Sequence, residues 1–259
     1  MERLTIGPGN TMFTVDVESD WAGDKEVRGI SEALPLLLDL LQRHAAKATF
    51  FVVANLVELV RELLPPDGPH EVGSHGLTHR LLPSLSAAEM VEEVYESKRV
   101  LESAGYRVEG FRAPFFSSPP CLHSLLSKAG YRYDASGGAL YPGHKNRCVT
   151  TKSWDDRFHL PQVKTSYLRD GWTPFSLTYL RLYHPVGLAL TSDKATLFYC
   201  HLHELVDDSK GWDRLPFPLR QLHRRNNGCT ARLILERLFE RFGQRFVSCR
   251  EYLANSQRH

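Results

Sequence analysis

Four short clusters of polar residues stand at the ends of apolar runs, and each holds residue types that can do chemistry. Asp16 and Glu18 close the segment T-V-D-V-E. His75 and His79 lie in E-V-G-S-H-G-L-T-H, four residues apart. Arg112 sits in G-F-R-A-P-F-F, and His201 and His203 in L-F-Y-C-H-L-H-E. Residues two apart on a strand share a face, so the two carboxylates would repel unless a cation or a proton lies between them. Two histidines four apart would project to one side of a helical turn. With a carboxylate from elsewhere they form a common site for a divalent ion. An arginine at a strand end can grip a neighbouring carboxylate with two N–H groups. A histidine leaving an apolar strand is a candidate acid or base.

Each cluster also has an ordinary explanation: an acidic strand terminus, two unrelated histidines, a surface arginine packed on Phe111 and Phe115, a satisfied core histidine. Their order along the chain is harder to explain that way. D-x-E, H-x-x-x-H, R-x-P and a late histidine each fall at an expected strand terminus.

The elements around them alternate. Residues 12–17 (MFTVDV), 48–53 (ATFFVV), 71–74, 110–112, 131–134, 196–201 and 245–247 read as strands. Residues 30–43 place Leu34, Leu37, Leu38 and Leu41 on one helical face, and a helix is expected around 56–64 before Pro65 and Pro66. Ser86 opens a capping box, S-A-A-E, for a helix running to about 103. Residues 119–128 and 231–242 complete the helices. Strand–helix alternation implies parallel strands with helices outside, and ligand sites on such folds lie at the carboxyl ends of the strands. About seven strands suit either an open sheet or a barrel. Residues 137–195 are less regular and aromatic-rich, and read as an insertion in a single domain spanning 1–259.

The ordered set resembles the NodB-homology polysaccharide deacetylases, carbohydrate esterase family four. The matching segments are T-V-D-V-E (14–18), A-T-F-F-V (48–52), H-E-V-G-S-H-G-L-T-H (70–79), F-R-A-P-F-F-S (111–117), Y-D-A-S (133–136) and F-Y-C-H-L-H-E (198–204). The resemblance implies a distorted (β/α) barrel of about seven parallel strands. It implies Asp16 as catalytic base, Arg112 as the partner that holds Asp16, and His201, preferred over His203, as general acid. The metal falls to a first-motif carboxylate with His75 and His79. The commoner pattern has two adjacent aspartates, but Val17 occupies the second place here. The chain looks like a D-x-E branch, which makes Glu18 the ligand. Phe115, Trp154 and His203 are the expected substrate contacts. The ion would be divalent, zinc first, with cobalt, nickel or manganese as alternatives; it would bring the pKa of a bound water from near 16 toward about 7.

The expected reaction is removal of an N-acetyl group from an amino sugar carried as a glycan precursor, a nucleotide- or lipid-linked sugar, or an oligosaccharide. The alternatives are a deformylase acting on a polyprenyl-phosphate-linked aminosugar, a non-catalytic glycan-binding barrel, and a metal-independent amidohydrolase. Net charge is +2 over 259 residues, which gives no strong pull toward nucleic acid. Five scattered cysteines without CxxC argue against a disulfide framework, and most are expected to be buried. The first residues show no secretory pattern and no long apolar run occurs, so a soluble cytoplasmic protein is the default expectation. Trp172, Phe175, Tyr179, Leu182, Tyr183 and Leu188 form either a surface for a lipid tail or membrane interface, or a helix packed on the barrel. Arg220, His223, Arg224 and Arg225 form either a phosphate-binding cluster or a solvated loop.

Overall fold

The computed structural model of the protein describes residues 9–20, 27–137, 160–207, 216–217 and 219–256. Its strands are β1 (Thr11–Val17), β2 (Thr49–Val52), β3 (Glu71–Ser74), β4 (Gly110–Phe111), β5 (Tyr133–Gly137), β6 (Gln162–Lys164) and β7 (Leu197–His201). They pair in parallel in the order β6-β5-β4-β3-β2-β1-β7. A further strand, β8 (Phe246–Val247), pairs with Thr11 and Met12 at the start of β1. The helices are α1 (Leu34–Arg43), α2 (Val57–Val60), α3 (Ala87–Ser103), α4 (Leu122–Lys128), α5 (Leu177–Leu182), α6 (Leu219–Arg224), α7 (Cys229–Phe242) and α8 (Cys249–Ser256).

The two outer strands approach each other through the segment that follows β6. Ser166 Oγ accepts hydrogen bonds from the N–H groups of Thr196 and Leu197 at 2.8 and 3.0 Å, and Ser176 bridges to Tyr199. The sheet is thereby curled into a nearly closed, distorted (β/α) barrel.

Alternation along each strand separates two cores. Phe13, Val15 and Val17 of β1, with Phe198 and Cys200 of β7, face outward onto Leu34 and Leu37 of α1 and Ile234 and Leu238 of α7. Met12, Phe51, Tyr133, Leu197 and Tyr199 face inward and fill the lumen. The lumen is tight: a Cβ added to Gly110 would lie 2.1 Å from the Tyr133 ring, so only glycine lets that ring cross beneath β4. Thr14 and Asp16 take the same inward face of β1, which delivers Asp16 to the carboxyl end of the barrel.

Several local features differ from expectation. The helix expected around 56–64 is a 3-10 turn, Ala54–Leu56, followed by the single turn of α2. β5 begins two residues later than its apolar run, and β4 is only two residues long. β6 and α5 arise within the stretch read as irregular; three residues are too few for alternation to show. The α3 capping box forms as written, with Ser86 and Glu89 satisfying each other's backbone N–H groups. Cys200 and Cys249 are buried, whereas Cys121 and Cys229 are exposed at the starts of α4 and α7, where the turn faces solvent. Cys148 lies outside the described residues. No helix among the described residues is long and apolar enough to cross a membrane.

Candidate active site and metal centre

The carboxyl ends of β1, β3, β4 and β7 bring the four clusters to one place. β1 stops at Val17, and Glu18 leaves it on the face that Thr14 and Asp16 share. Glu18 Oε2 lies 2.5 Å from His79 Nε2 and 3.6 Å from His75 Nε2. Ligand atoms of Glu18, His75 and His79 all fall within 4.8 Å of one another.

A helical turn is not what joins the two histidines. After β3 the chain turns through Gly76 at φ 81° and reaches His79 at φ 62°. This left-handed backbone is uncommon for a residue with a Cβ, and such conformations concentrate at functional sites. The turn brings the two rings to 5.0 Å between centroids.

The donor set fits a divalent ion. His75 Nδ1 lies 2.8 Å from the carbonyl oxygen of Arg112 and donates to it, so Nε2 keeps its lone pair and points at Glu18. Two imidazoles and one carboxylate are a donor set that would hold a divalent ion able to supply Lewis acidity there. Without an ion the group behaves as an ion pair. Burial pushes the Glu18 carboxyl up, but His79 and His75 against it hold it well below the ordinary range. Burial pushes His79 down, and the Glu18 charge overrides it and raises the imidazole.

Asp16 sits deeper. It is 1% exposed, and Arg112, wholly buried, donates from Nη1 to Asp16 Oδ1 at 2.6 Å. The other guanidinium groups donate to Thr14 Oγ1 at 2.9 Å and to the Ala135 carbonyl at 3.2 Å. The guanidinium lies on Phe51, 4.2 Å from the ring centroid, with Phe116 on a further side at 5.1 Å. Every contact fixes Arg112 in place, and Arg112 fixes Asp16.

On the far side of Asp16, His201 Nε2 lies 3.7 Å from Asp16 Oδ2. His201 Nδ1 faces Glu204 Oε2 at 3.4 Å, and its backbone N–H donates to the same oxygen at 3.0 Å. Glu204 is itself buried against Arg181, whose Nη2 and Nε donate to Oε1 at 2.8 and 3.1 Å, and Thr178 donates to that oxygen at 2.8 Å. Burial would lower His201, but the carboxylates of Glu204, Glu18 and Asp16 raise it to about 9. Burial would raise Glu204, and Arg181 and His201 hold it far below the usual range. His203 stacks on His201, 5.1 Å between centroids, with Nδ1 3.7 Å from Glu18 Oε1. Burial and the His201 charge lower it to about 4. The same surroundings thus shift the two stacked histidines in opposite directions.

Phe115 stands at the rim, at φ 58°, with its ring 4.8 Å from that of His79. Trp154 lies outside the described residues. In the aromatic stretch, Phe175 is fully buried, Tyr179, Leu182 and Leu188 are half-buried, and Trp172 and Tyr183 are exposed. α5 therefore packs on the barrel with part of this stretch left outside. The basic cluster adjoins it: Arg181 Nη1 donates to the carbonyls of His223 and Arg225, and Asn226 donates to the Arg181 carbonyl.

Glu204 and Arg181 received no role from sequence. Glu204 stood inside a quoted motif, three residues beyond His201, and that spacing was the available signal. Arg181 had none, because its partners lie 23 and more residues away.

A parallel barrel with a carboxylate–histidine cluster at the carboxyl ends of its strands defines the class. The family profile for polysaccharide deacetylase matches residues 12–133. A peptidoglycan deacetylase of Helicobacter pylori is 26% identical over 136 residues, 47% of this chain and 46% of that protein. A chitooligosaccharide deacetylase of Bradyrhizobium is 40% identical over 102 residues, 37% of this chain and 46% of that one. The matched region thus spans about half the length of these curated relatives. The peptidoglycan deacetylase PdaC of Bacillus subtilis shares the fold at a TM-score of 0.54 and 15% identity, over 97% of this chain and 94% of that one. A carbohydrate esterase family four pseudoenzyme of Bacillus anthracis does so at 0.54 and 15%, over 95% and 66%. Over residues 12–133 the chain is similar to the polysaccharide deacetylase family, and its fold is that of carbohydrate esterase family four structures. Because the fold is shared with a pseudoenzyme, activity must be argued from the residues of the site.

Proposed function

We propose that this protein is a metal-dependent N-deacetylase of amino sugars. The observation that carries the reading is a buried carboxylate, Asp16, held between Arg112 and His201 beside the converging Glu18, His75 and His79. A divalent ion held by those three residues, zinc first and cobalt, nickel or manganese as alternatives, would supply Lewis acidity to the amide carbonyl and to water. The glutamate takes the ligand place that Val17 leaves empty in a D-x-E first motif.

The rest is done by the chain's own groups. Asp16, fixed by Arg112, accepts the proton of the attacking water. His201, whose pKa the Glu204 and Asp16 carboxylates raise, gives its proton to the sugar nitrogen as the C–N bond breaks. Acetate and a free amine leave. Glu204 orients His201 through Nδ1, so that Nε2 faces the reacting amide, and Arg181 holds Glu204. We assign the oxygen that gains charge to the backbone N–H of Phe115, whose ring lies beside that of His79 at the rim. His203, lowered to about 4, is neutral and serves as a substrate contact beside Glu18.

The substrate class rests on relatives named for peptidoglycan and chitooligosaccharide deacetylation. The test is mass-spectrometric detection of acetate and formate across a panel of N-acetyl and N-formyl amino sugars, free, nucleotide-linked and lipid-linked. Acetate from at least one member is expected. Formate alone would move the assignment to the deformylase reading, and neither product would remove it.

A further inference from the structure

We propose that Glu93, on α3, is a positioning residue that clamps the metal-binding turn from outside the barrel. The proposal rests on the metal reading above and adds a residue that no motif contains. Glu93 is wholly buried in a helix face otherwise made of Met90, Val94, Ser97 and Leu101. A carboxylate there is costly unless its oxygens are fully engaged. They are engaged by the turn that carries His79. The N–H groups of Leu77 and Thr78 donate to Oε2 at 2.8 and 3.0 Å. The Thr78 hydroxyl donates to Oε1, and Arg80 Nε donates to the same oxygen at 3.0 Å. Four donors from three consecutive-to-near residues thus converge on one side chain.

The turn needs such a clamp. It contains Gly76 at φ 81° and His79 at φ 62°, and left-handed residues persist only where their surroundings over-determine them. A Cβ on Gly76 would come 3.1 Å from Glu93 Oε2, so the carboxylate also fills the space the glycine leaves. One helical turn further on, Ser97 Oγ bonds Ser74 Oγ at 2.9 Å, immediately before His75. α3 therefore holds the chain on both sides of the two histidines. Glu93 touches no ligand atom and acts through the backbone and side chains of the turn. Removing such outer partners costs about 10–100-fold in metal affinity.

The test compares wild type with Glu93→Gln on the full chain by two readouts. Zinc affinity is measured by chelator competition, and amide exchange of residues 76–80 is measured in the metal-free protein. The expected result is zinc affinity weaker by about tenfold or more and faster exchange at Leu77 and Thr78. Affinity within about twofold of wild type with unchanged exchange would overturn the proposal; the exposed Glu92→Gln supplies the control. If Glu93→Gln does not fold, Thr78→Val removes one of the four donors alone. It is expected to weaken zinc by a smaller factor, and wild-type affinity in it would be equally damaging. A wild type that binds no zinc would remove the metal reading itself, and the exchange data would still judge the clamp.

Discussion

Asp16→Asn separates chemistry from assembly. Asp16 and Arg112 are 1% and 0% exposed and 2.6 Å apart, so solvent does not screen the pair. Truncating one member of such a pair typically costs about 3–5 kcal/mol. Asparagine is milder, because its Oδ1 still accepts from Arg112. What is lost is the charge assistance of one hydrogen bond, about 1–3 kcal/mol. For a chain of this size that corresponds to a melting point lower by roughly 2–12 °C. Glu18, His75 and His79 are untouched, so zinc content should match wild type. The rate should not: without a base to take the proton, the loss is about 10²–10⁴-fold, or roughly 2.7–5.4 kcal/mol of barrier. The assay is kcat and kcat/KM for acetate release, with bound zinc and melting point measured on the same preparation. Activity within about threefold of wild type, with zinc present and the fold intact, would refute Asp16 as the base.

Three further outcomes follow from the same geometry. Glu204→Gln should lower kcat about tenfold or more with zinc affinity unchanged; Arg181→Met should act in the same direction and combine with it non-additively, which a double-mutant cycle reads. In the metal-free protein His201 is raised to about 9 from an ordinary 6.5, so its stabilising contribution is complete below about 6.5 and is lost as pH rises through about 9. Urea denaturation at pH 6.5 and 9.5 should show this loss, of order 3 kcal/mol, and it should shrink in Glu204→Gln. Gly110→Ala forces a Cβ to 2.1 Å from the Tyr133 ring, whose hydroxyl is held by Glu71 at 2.9 Å. It should destabilise by about 3 kcal/mol or more by the same denaturation assay, a severe case of overpacking.

The parts of the site that were legible in the sequence are those governed by local period. Alternation on β1 placed Asp16 and Glu18 on one face; Asp16 is found on the inward face of β1, and Glu18, just past its end, meets His75 and His79. Strand ends placed His75, Arg112 and His201 at the carboxyl edge of a parallel sheet, and a family resemblance ordered them. What sequence missed is governed by contacts distant along the chain. The histidines meet through a turn with two left-handed residues rather than through a helix, and spacing alone cannot tell these apart. Glu204 is near in sequence to His201, but Arg181 and Glu93 are fixed by how α5 and α3 dock, which no local pattern encodes. β4, two residues long, and β6, three residues long, lie below the length at which a strand leaves a signature.

The central claim is that Glu18, with His75 and His79, holds an ion on which deacetylation depends. The direct measurement is acetate release before and after chelation and after return of zinc, on wild type and Glu18→Gln, with bound metal quantified throughout. Wild type should bind one ion per chain, lose activity on chelation and recover it with zinc, while Glu18→Gln should bind the ion weakly and stay inactive at wild-type zinc concentrations. Acetate release that survives complete removal of metal, or a Glu18→Gln protein with wild-type zinc affinity, would contradict the account.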